Sequence, residues 1–488
     1  MTSPAPGPDG LVLDTVEPSF PKRIHLVGVA GTGMGSFAGM LKAAGYEVTG
    51  SDENVYPPMS DMLRVWGIQA LTPYAPSNLD VAKPDLVIIG NVIRRVNPEA
   101  TAVRERAIAS MSFPAALGSL FLKSRHSIVV AGTHGKTTTS SLMGHVLADA
   151  GRDPTFLVGG VTKNYGGNYR LGKGPHFVVE GDEYDTAYFD KGPKFLHYQP
   201  KTLILTSIEF DHADIYRDLP HYEAAFEKLV PLVPADGTIV VSAAWPNAVR
   251  IARAGSKAKL VTYSVKPEHQ ADVTALDLKL GAEGARFTVQ VRGERVADVL
   301  LPMAGAHNVE NALGVFAAGL AVGLDAKELT HGFSTFEGVK RRQEVRGEPK
   351  GILVIDDFAH HPTAVKETIA AVAARYAGRR LWAIFEPRSN TSRRNIHQDD
   401  YAASFTGAAR ASIKVPERHD KIPTGEELDV PRLARELTTQ GIPSIAETTV
   451  AALLDEVVRD AKPGDVLLVM SNGSFGGFID SLLKRLGA

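Results

Sequence analysis

The run Val129-Val130-Ala131-Gly132-Thr133-His134-Gly135-Lys136-Thr137-Thr138-Thr139 constrains this chain more than any other segment. It reads as an apolar strand, a glycine loop, and Lys-Thr-Thr opening a helix. Leu142, Val146 and Leu147 then recur at helical spacing, as a helix packed on a sheet requires. This order aims bare backbone N–H groups and a helix N-terminus at a triphosphate. Lys136 would neutralise β/γ-phosphate charge and the Thr137 hydroxyl would sit on Mg²⁺. The usual G-x-x-x-x-G-K-[ST] pattern is not met, because Val130 stands where the first glycine belongs. The expectation is an α/β chain that binds ATP or a close relative.

At 488 residues the chain has room for about three domains, by the usual domain-size prior. Its 53 Lys+Arg against 55 Asp+Glu give a formal charge of −2, so no overall basic field draws it to nucleic acid. The absence of cysteine excludes disulfides, thiolate zinc sites and cysteine nucleophiles. No apolar run approaches the ~20 residues that span a bilayer, so no membrane partner is expected. Residues 1–21 lack a signal-peptide pattern and read as a disordered tail. A cytoplasmic enzyme or nucleotide-driven switch fits these bounds.

Three α/β units follow in series. The first, 22–127, opens with a strand at Ile24 to Val27, a glycine turn from Gly28 to Gly35 and a helix carrying Phe37, Met40 and Leu41 on one face. A strand from Tyr46 to Thr49 precedes Ser51 and Asp52, and Asp85 to Gly90 forms another. The second unit, 128–333, adds strands at Phe177–Glu180, Thr202–Leu205 and Ile239–Val241, an alternating stretch from Arg286 to Val291, and a helix from about Asn308 to Val322. The third, 334–488, alternates strands at Ile352–Ile355, Leu381–Phe385 and Val466–Met470 with helices at 363–375 and 448–461. Strand–helix alternation implies parallel sheets that bind ligands at strand C-termini.

Polar clusters close several of these strands. Glu180-Gly-Asp-Glu-Tyr-Asp185 supplies hard oxygen donors near the phosphate loop, with Glu180 nearest the strand and the first choice for Mg²⁺. Glu209-Phe-Asp-His212-Ala-Asp214 offers a His flanked by acids, read as a ligand or outer-shell group for a second metal. In Ala306-His307-Asn308-Val-Glu-Asn311, Asn308 is either a helix cap or, with His307 and Asn311, part of an adenine site. Asp356-Asp357-Phe-Ala-His360-His361 is too polar for a core and reads as an active-site loop. Lys340-Arg341-Arg342 is hinge surface charge or a reach toward phosphates. Glu386-Pro-Arg388-Ser389-Asn390-Thr-Ser-Arg393-Arg394 is a solvated turn or a clamp for an anionic substrate.

Together these motifs resemble the Mur ligase family, ATP-dependent amide-forming enzymes of peptidoglycan metabolism, over nearly the whole chain from Ile24. Gly132-Thr-His-Gly-Lys-Thr-Thr138 is similar to that family's own phosphate-loop variant. Gly28-Val-Ala-Gly-Thr-Gly-Met34 and Asp357-Phe-Ala-His-His-Pro362 look like the branch that uses UDP-N-acetylmuramate directly, adding either L-alanine or the recycled tripeptide L-alanyl-γ-D-glutamyl-meso-diaminopimelate. Ser51-Asp-Glu-Asn-Val-Tyr-Pro-Pro-Met59, Glu209-Phe-Asp-His-Ala-Asp-Ile215, Glu386-Pro-Arg-Ser-Asn-Thr391 and Met470-Ser-Asn-Gly-Ser-Phe-Gly-Gly477 look like the tripeptide-adding members. The alanine-adding enzymes usually read Gln-Pro-His-Arg-Tyr-Thr-Arg after the strand, and this chain has Ser389 and Ser392 at the two arginine positions. Ligases that add later residues carry a carbamylated lysine in a His-Tyr-Glu-Ala-Ala-Lys context, where this chain has Phe226.

The resemblance implies a three-domain Mur ligase architecture: Rossmann-like N-terminal domain, P-loop ATPase-like central domain, Rossmann-like C-terminal domain. It implies ATP contacts from Gly132 to Thr138 and from His307, Asn308, Asn311, Arg342 and Asp357. UDP-sugar contacts would come from Gly31, Thr32, Gly33, Met34, Ser51 and Asp52, and peptide contacts from Arg388, Ser389, Asn390 and Arg393. Lys136, Glu180, His212 and His360 would be catalytic, with Thr137, Glu180 and His212 holding two Mg²⁺ ions. Two rivals explain less: a nicotinamide-dependent oxidoreductase built on Gly28, Ala30, Gly33 and Asp52 leaves the phosphate loop idle, and a noncatalytic ATP switch has no need of polar strand ends in all three units.

Overall fold

The N-terminal strand Leu86–Ile89 is apolar along its whole length and buried at every position. Such strands need cover on both faces, which a parallel sheet with flanking helices provides. The computed structural model describes residues 21–57, 59–417 and 422–487. Apart from Pro21, the tail expected over 1–21 lies outside them. Five parallel strands form the first sheet in the spatial order Gln69–Leu71, Glu47–Ser51, Arg23–Val27, Leu86–Ile89, Ser110–Ser112. The helix Thr32–Ala43 starts inside the expected glycine turn, since Gly31 already serves as its N-cap.

That helix also joins two domains. A Cβ on Gly39 would lie 2.8 Å from both the Trp66 ring and the Tyr169 hydroxyl, and Ser36 Oγ donates to Asn168 Oδ1 at 2.8 Å. Small residues on this face let the helix reach the strand Gly167–Arg170 of the central sheet. The approach fixes the groove between the two units.

Ten strands make the central sheet, ordered Glu294–Leu301, Gly284–Val291, Val273–Gly281, Lys259–Ser264, Thr238–Ser242, Thr202–Leu205, His126–Ala131, His176–Gly181, Thr155–Thr162, Gly167–Arg170. The inner strands are parallel, while the first three and the last pair are antiparallel at the edges. His126–Ala131 begins two residues ahead of the expected boundary at 128. The helix Lys136–Asp149 is buried from Thr137 through Leu147, not along one face only. It lies between the sheet and the helices Ala306–Ala321 and Ala326–Ser334, and its Leu142, Val146 and Leu147 share a core with Val309, Leu313 and Phe316.

The C-terminal sheet runs Glu344–Gly347, Leu353–Asp357, Asp465–Met470, Arg380–Phe385, Arg410–Lys414, Ser444–Glu447, parallel except for its first strand. A backbone seam ties it to the central unit: Lys163 N–H donates to Gly338 O at 3.0 Å and Lys340 N–H to Val161 O at 2.9 Å. No helix among the described residues is long and apolar enough to cross a membrane.

One polar knot sits inside the N-terminal core. His25 Nε2 donates to Glu99 Oε1 at 2.6 Å, and Ser51 Oγ and Asn78 Nδ2 donate to the same carboxylate at 2.8 and 2.9 Å. Both His25 and Glu99 are fully buried. Removing one partner strands the others without a counter-charge, so Glu99→Ala should cost about 3–5 kcal/mol. Thermal unfolding should show the N-terminal transition moving down, and an unshifted transition would remove the knot from the stability argument.

Candidate active site

Two glycines give the phosphate loop its shape. Gly132 has φ +132°, and a Cβ there would lie 2.2 Å from Thr206 Oγ1; Gly135 has φ +80°, and a Cβ would lie 2.4 Å from Asn311 Oδ1. The neighbouring strand end braces the loop: Thr133 N–H donates to Ser207 O at 3.0 Å, His134 N–H to Ser207 Oγ at 2.8 Å, and Thr206 Oγ1 to His134 O at 2.6 Å. Gly135 caps the helix Lys136–Asp149 with no side chain in the way, so the helix N-terminus is open to an anion.

Lys136 and Thr137 face different acids. Thr137 Oγ1 donates to Glu180 Oε1 at 2.9 Å, and Gly159 N–H donates to Glu180 Oε2 at 2.7 Å. Burial and the adjacent Asp182 raise the Glu180 pKa. A hydroxyl and a half-buried carboxylate, side by side and with no ion pair among the described residues, are hard donors suited to Mg²⁺, so Thr137 and Glu180 fit that ion. Lys136 Nζ donates to Glu183 at 2.7 and 3.0 Å and to Gly132 O at 2.7 Å.

Glu183 is the residue that sequence reasoning missed. It is 1% exposed, and its second partner is His212 Nε2 at 3.1 Å. Burial alone would raise its pKa, yet Lys136 and His212 hold it at about 2. The same pairing acts on His212. Burial opposes its charge, but Glu183 and then Asp211 carry its pKa up to about 9. His212 thus donates to Glu183 here, and to serve as the expected metal ligand it would have to give up that proton to the ion. Phe226 is fully buried against Phe195 and Tyr222, an apolar filler at the position where other ligases carry the carbamate.

A cavity of about 480 Å³ opens beside the loop, between the central and C-terminal domains. His134, Gly135, Thr138, His307, Asn308, Asn311, Arg342 and Asp357 all line it, as does Trp245, which the sequence did not flag. Gly132, Thr133, Lys136 and Thr137 form the adjoining loop and first helical turn. Asn308 is not the helix cap; that position is Gly305, and Asn308 Nδ2 donates to Ala304 O at 2.7 Å. Arg342 reaches Thr137 Oγ1 at 3.4 Å. Asp357 accepts the backbone N–H groups of Gln343 and Ala359, both at 2.8 Å, and so shapes the cavity wall.

The C-terminal domain closes on the loop through a three-residue tie. His134 Nε2 donates to Glu209 at 2.6 Å, and Thr363 Oγ1 donates to the other Glu209 oxygen at 2.9 Å. His361 stands 3.7 Å from the same carboxylate. His134, Glu209 and His361 could group around a metal. His361, however, spends both nitrogens on protein groups, donating to Phe210 O and accepting Thr363 N–H, each at 3.3 Å. Burial and His134 hold it neutral, with a pKa of about 3. His360 lies next in the chain with Nδ1 3.1 Å from Phe358 O, and burial lowers its pKa too.

A second groove, about 380 Å³, runs between the N-terminal and central domains and meets Glu180. Gly31, Thr32, Gly33 and Met34 line it, but Ser51 and Asp52 do not. Ser51 is fully buried and donates to Glu99, so its expected sugar contact is corrected to a core role. Asp52 accepts Ala30 N–H at 2.9 Å and braces the glycine turn behind that wall.

In the Arg388 loop, two expected peptide contacts are occupied by the protein. Ser389 Oγ accepts Ser392 N–H at 2.9 Å and closes the turn, and Asn390 Nδ2 donates to Asp214 Oδ2 at 2.8 Å across the domain interface. Arg388 packs on Gly473, where a Cβ would lie 2.3 Å from its Cδ. Arg393 Nε is buried without a hydrogen-bond partner, and burial, then Arg388, lowers its pKa.

Glu183→Gln removes the anion that charges His212 while leaving the burial that opposes it. With Asp211 left to oppose burial, the His212 midpoint should fall from about 9 toward the ordinary histidine value near 6.5. Proton NMR of the imidazole across pH 5–10 checks this, and a midpoint still near 9 would sink the assignment.

Comparison with known proteins accounts for 95% of the chain. It is 40% identical to UDP-N-acetylmuramate–L-alanyl-γ-D-glutamyl-meso-2,6-diaminoheptandioate ligase of Escherichia coli strain K12, over 95% of this chain and 98% of that protein. It is 34% identical to UDP-N-acetylmuramate–L-alanine ligase of Salinibacter ruber, over 95% of each. Among solved structures, murein peptide ligase from Psychrobacter arcticus 273-4 shares 36% identity at a TM-score of 0.71, covering 95% of this chain and 98% of that one. UDP-N-acetylmuramate-alanine ligase from Thermotoga maritima shares 25% at a TM-score of 0.77 over the same fractions. With residues 23–125 matching the Mur ligase family catalytic domain, 130–319 the Mur ligase middle domain and 341–473 the Mur ligase glutamate ligase domain, this chain belongs to the Mur ligase family and is an ATP-dependent amide-forming ligase.

Proposed function

We propose that this enzyme joins UDP-N-acetylmuramate to L-alanyl-γ-D-glutamyl-meso-diaminopimelate in the cytoplasm, returning a recycled peptide to peptidoglycan synthesis. The observation that carries this is full-length identity of 40% and 38% to two ligases named for that reaction, against 34% for an alanine-adding one. The loop after Phe385 agrees with it, having serines where alanine-adding enzymes usually carry arginines. The higher TM-score to an alanine-adding ligase favours that enzyme as the second reading. TM-score, though, reports how the backbones of three domains superpose, whereas residue identity reports what lines the sites.

A carboxylate is a poor electrophile, so amide formation in water needs activation. The lactyl carboxylate attacks the γ-phosphorus of ATP, the bond to the β–γ bridging oxygen breaks, and ADP leaves. The peptide amine then attacks the acyl phosphate carbonyl, the bond to phosphate breaks, inorganic phosphate leaves, the nitrogen gives up a proton to solvent, and the amide remains. The phosphoryl step asks for positioning and charge neutralisation rather than covalent help. Backbone N–H groups from Gly132 to Thr138 cradle the phosphates, and Lys136, steadied by Glu183, supplies a fixed positive charge. Thr137 and Glu180 would hold Mg²⁺, which would supply charge neutralisation at the phosphates, and His212 would have to release its proton to hold a second ion. The tie from His134 and Glu209 to Thr363 keeps the C-terminal domain over the site and water away from the acyl phosphate.

Phosphate release from Mg-ATP with UDP-N-acetylmuramate should occur with the tripeptide and not with free L-alanine, with a product mass equal to the condensed pair. Release with alanine would make this the biosynthetic enzyme. Lys136→Ala should lower turnover by about 10³-fold or more while UDP-sugar affinity stays nearly unchanged. Unchanged turnover would refute the phosphate-loop role.

A further inference from the structure

Lys194 lines the groove between the N-terminal and central domains, and the nucleotide chemistry above does not use it. It opens the short helical turn Lys194–His197 and is 8% exposed. Its Nζ donates to Asp182 Oδ2 at 3.1 Å and stands 4.0 Å from the centre of the Tyr184 ring. An ammonium has three protons to donate. Among the described residues one is used on Asp182, and the aromatic face holds the charge in place without consuming another. A nearly buried cation with spare donors is costly unless a ligand takes them up.

The charge balance of the groove says which ligand. Its lining among the described residues includes two acids, Glu180 and Asp182, and one cation, Lys194. The sugar nucleotide of the proposed reaction is a polyanion with two separate charged parts. Its diphosphate matches the Gly31–Met34 wall, where the helix Thr32–Ala43 presents its N-terminus. Its lactyl carboxylate has to lie on the opposite wall, near Thr137 and Glu180, to meet the γ-phosphate. Among the described residues that line the groove itself, Lys194 is the cation on that wall, Lys136 lying behind it on Glu183. Tyr184 extends the connection, for its ring centre is 5.4 Å from that of His212, which in turn holds Glu183 and through it Lys136.

We propose that Lys194 receives the lactyl carboxylate of the sugar nucleotide, with Tyr184 and Asp182 fixing its ammonium, and thereby orients the acid that ATP activates. This rests on the sugar-nucleotide reading above. It makes Lys194 the residue that separates a muramyl from a glucosaminyl nucleotide, since the two share uridine, diphosphate and acetamido groups and differ in the lactyl acid.

Calorimetric titration of the full chain with UDP-N-acetylmuramate and with UDP-N-acetylglucosamine tests it, in wild type, in Lys194→Met, and in Lys194→Met combined with Asp182→Asn. The double variant keeps the groove's net charge as in the wild type, where the single one leaves the half-buried Asp182 without its cation. Both variants should bind the muramyl nucleotide about tenfold or more weakly, while affinity for the glucosaminyl nucleotide changes by less than about twofold, as loss of one charged hydrogen bond requires. Equal losses for both nucleotides would place Lys194 on the diphosphate or in the fold and overturn the proposal. No loss for either would leave it a plain ion pair and overturn it as well. Wild type that fails to bind the muramyl nucleotide would refute the function reading itself, whereas wild type and variants that bind it equally refute only the role of Lys194.

Discussion

A buried carboxylate shared by two cations underlies the chemistry of this molecule. Glu183 is taken out of water, where an isolated anion would be expensive, and is kept ionised by Lys136 on one side and His212 on the other. The trio carries a net positive charge at neutral pH. It sits where the phosphate loop, the acidic strand end and the His212 segment come together. Lys136 is thus held in place before any phosphate arrives, and preorganised charge of this kind is what phosphoryl transfer demands. Tyr216 adds to the arrangement by donating its hydroxyl to the Glu183 carbonyl, which fixes the backbone that presents the carboxylate.

Domain closure follows from the same region. Glu209 lies just beyond the strand Thr202–Leu205 beside the phosphate loop and takes His134 with one oxygen and Thr363 of the C-terminal domain with the other. Its pKa of about 2, reached against burial through His134 above all, keeps both acceptors available across the physiological range. A loop that must grip ATP is therefore mechanically linked to the domain that must exclude water. Asn390 and Arg394 repeat the connection farther along, to Asp214 and to Ala213 O. The segment from Glu209 to Asp214 is the bearing on which the C-terminal domain rests.

How much of this was legible in the sequence depends on periodicity. Glu180 could be chosen because it belongs to a strand, and the register Val130↔Glu180 puts it beside the strand that leads into the phosphate loop. Glu183 could not, because it lies past the strand end in an irregular turn with several other carboxylates, and spacing does not say which of them meets Lys136. Ser51 misled for a related reason. It ends the strand Glu47–Ser51, where ligands usually bind, but its side chain faces the core and Glu99. Trp245 gave no signal, being a single aromatic after a strand with no pattern around it. The helix Lys136–Asp149 read as amphipathic, yet is wrapped on all sides; His145 satisfies itself inside the core through Tyr165 Oη and Thr335 Oγ1.

The two guanidiniums of the Arg388 loop bear on the choice between amine substrates. Among the described residues neither Arg388 nor Arg393 makes an ion pair, although Arg394 beside them is paired with Glu426. The loop that carries them is fixed from both sides: Ala213 N–H donates to Thr391 Oγ1, and Ser471 Oγ donates to Glu386. A rigid loop with two guanidiniums outside any ion pair among the described residues is poorly matched to free alanine, which brings a single carboxylate. The tripeptide brings the α-carboxylate of its glutamyl residue and both carboxylates of diaminopimelate, enough to engage two guanidiniums at once. Planar, bidentate pairing of that kind is what arginine does better than any other side chain. The pair of guanidiniums in this loop thus favours the larger, more acidic amine, independently of overall identity to other ligases.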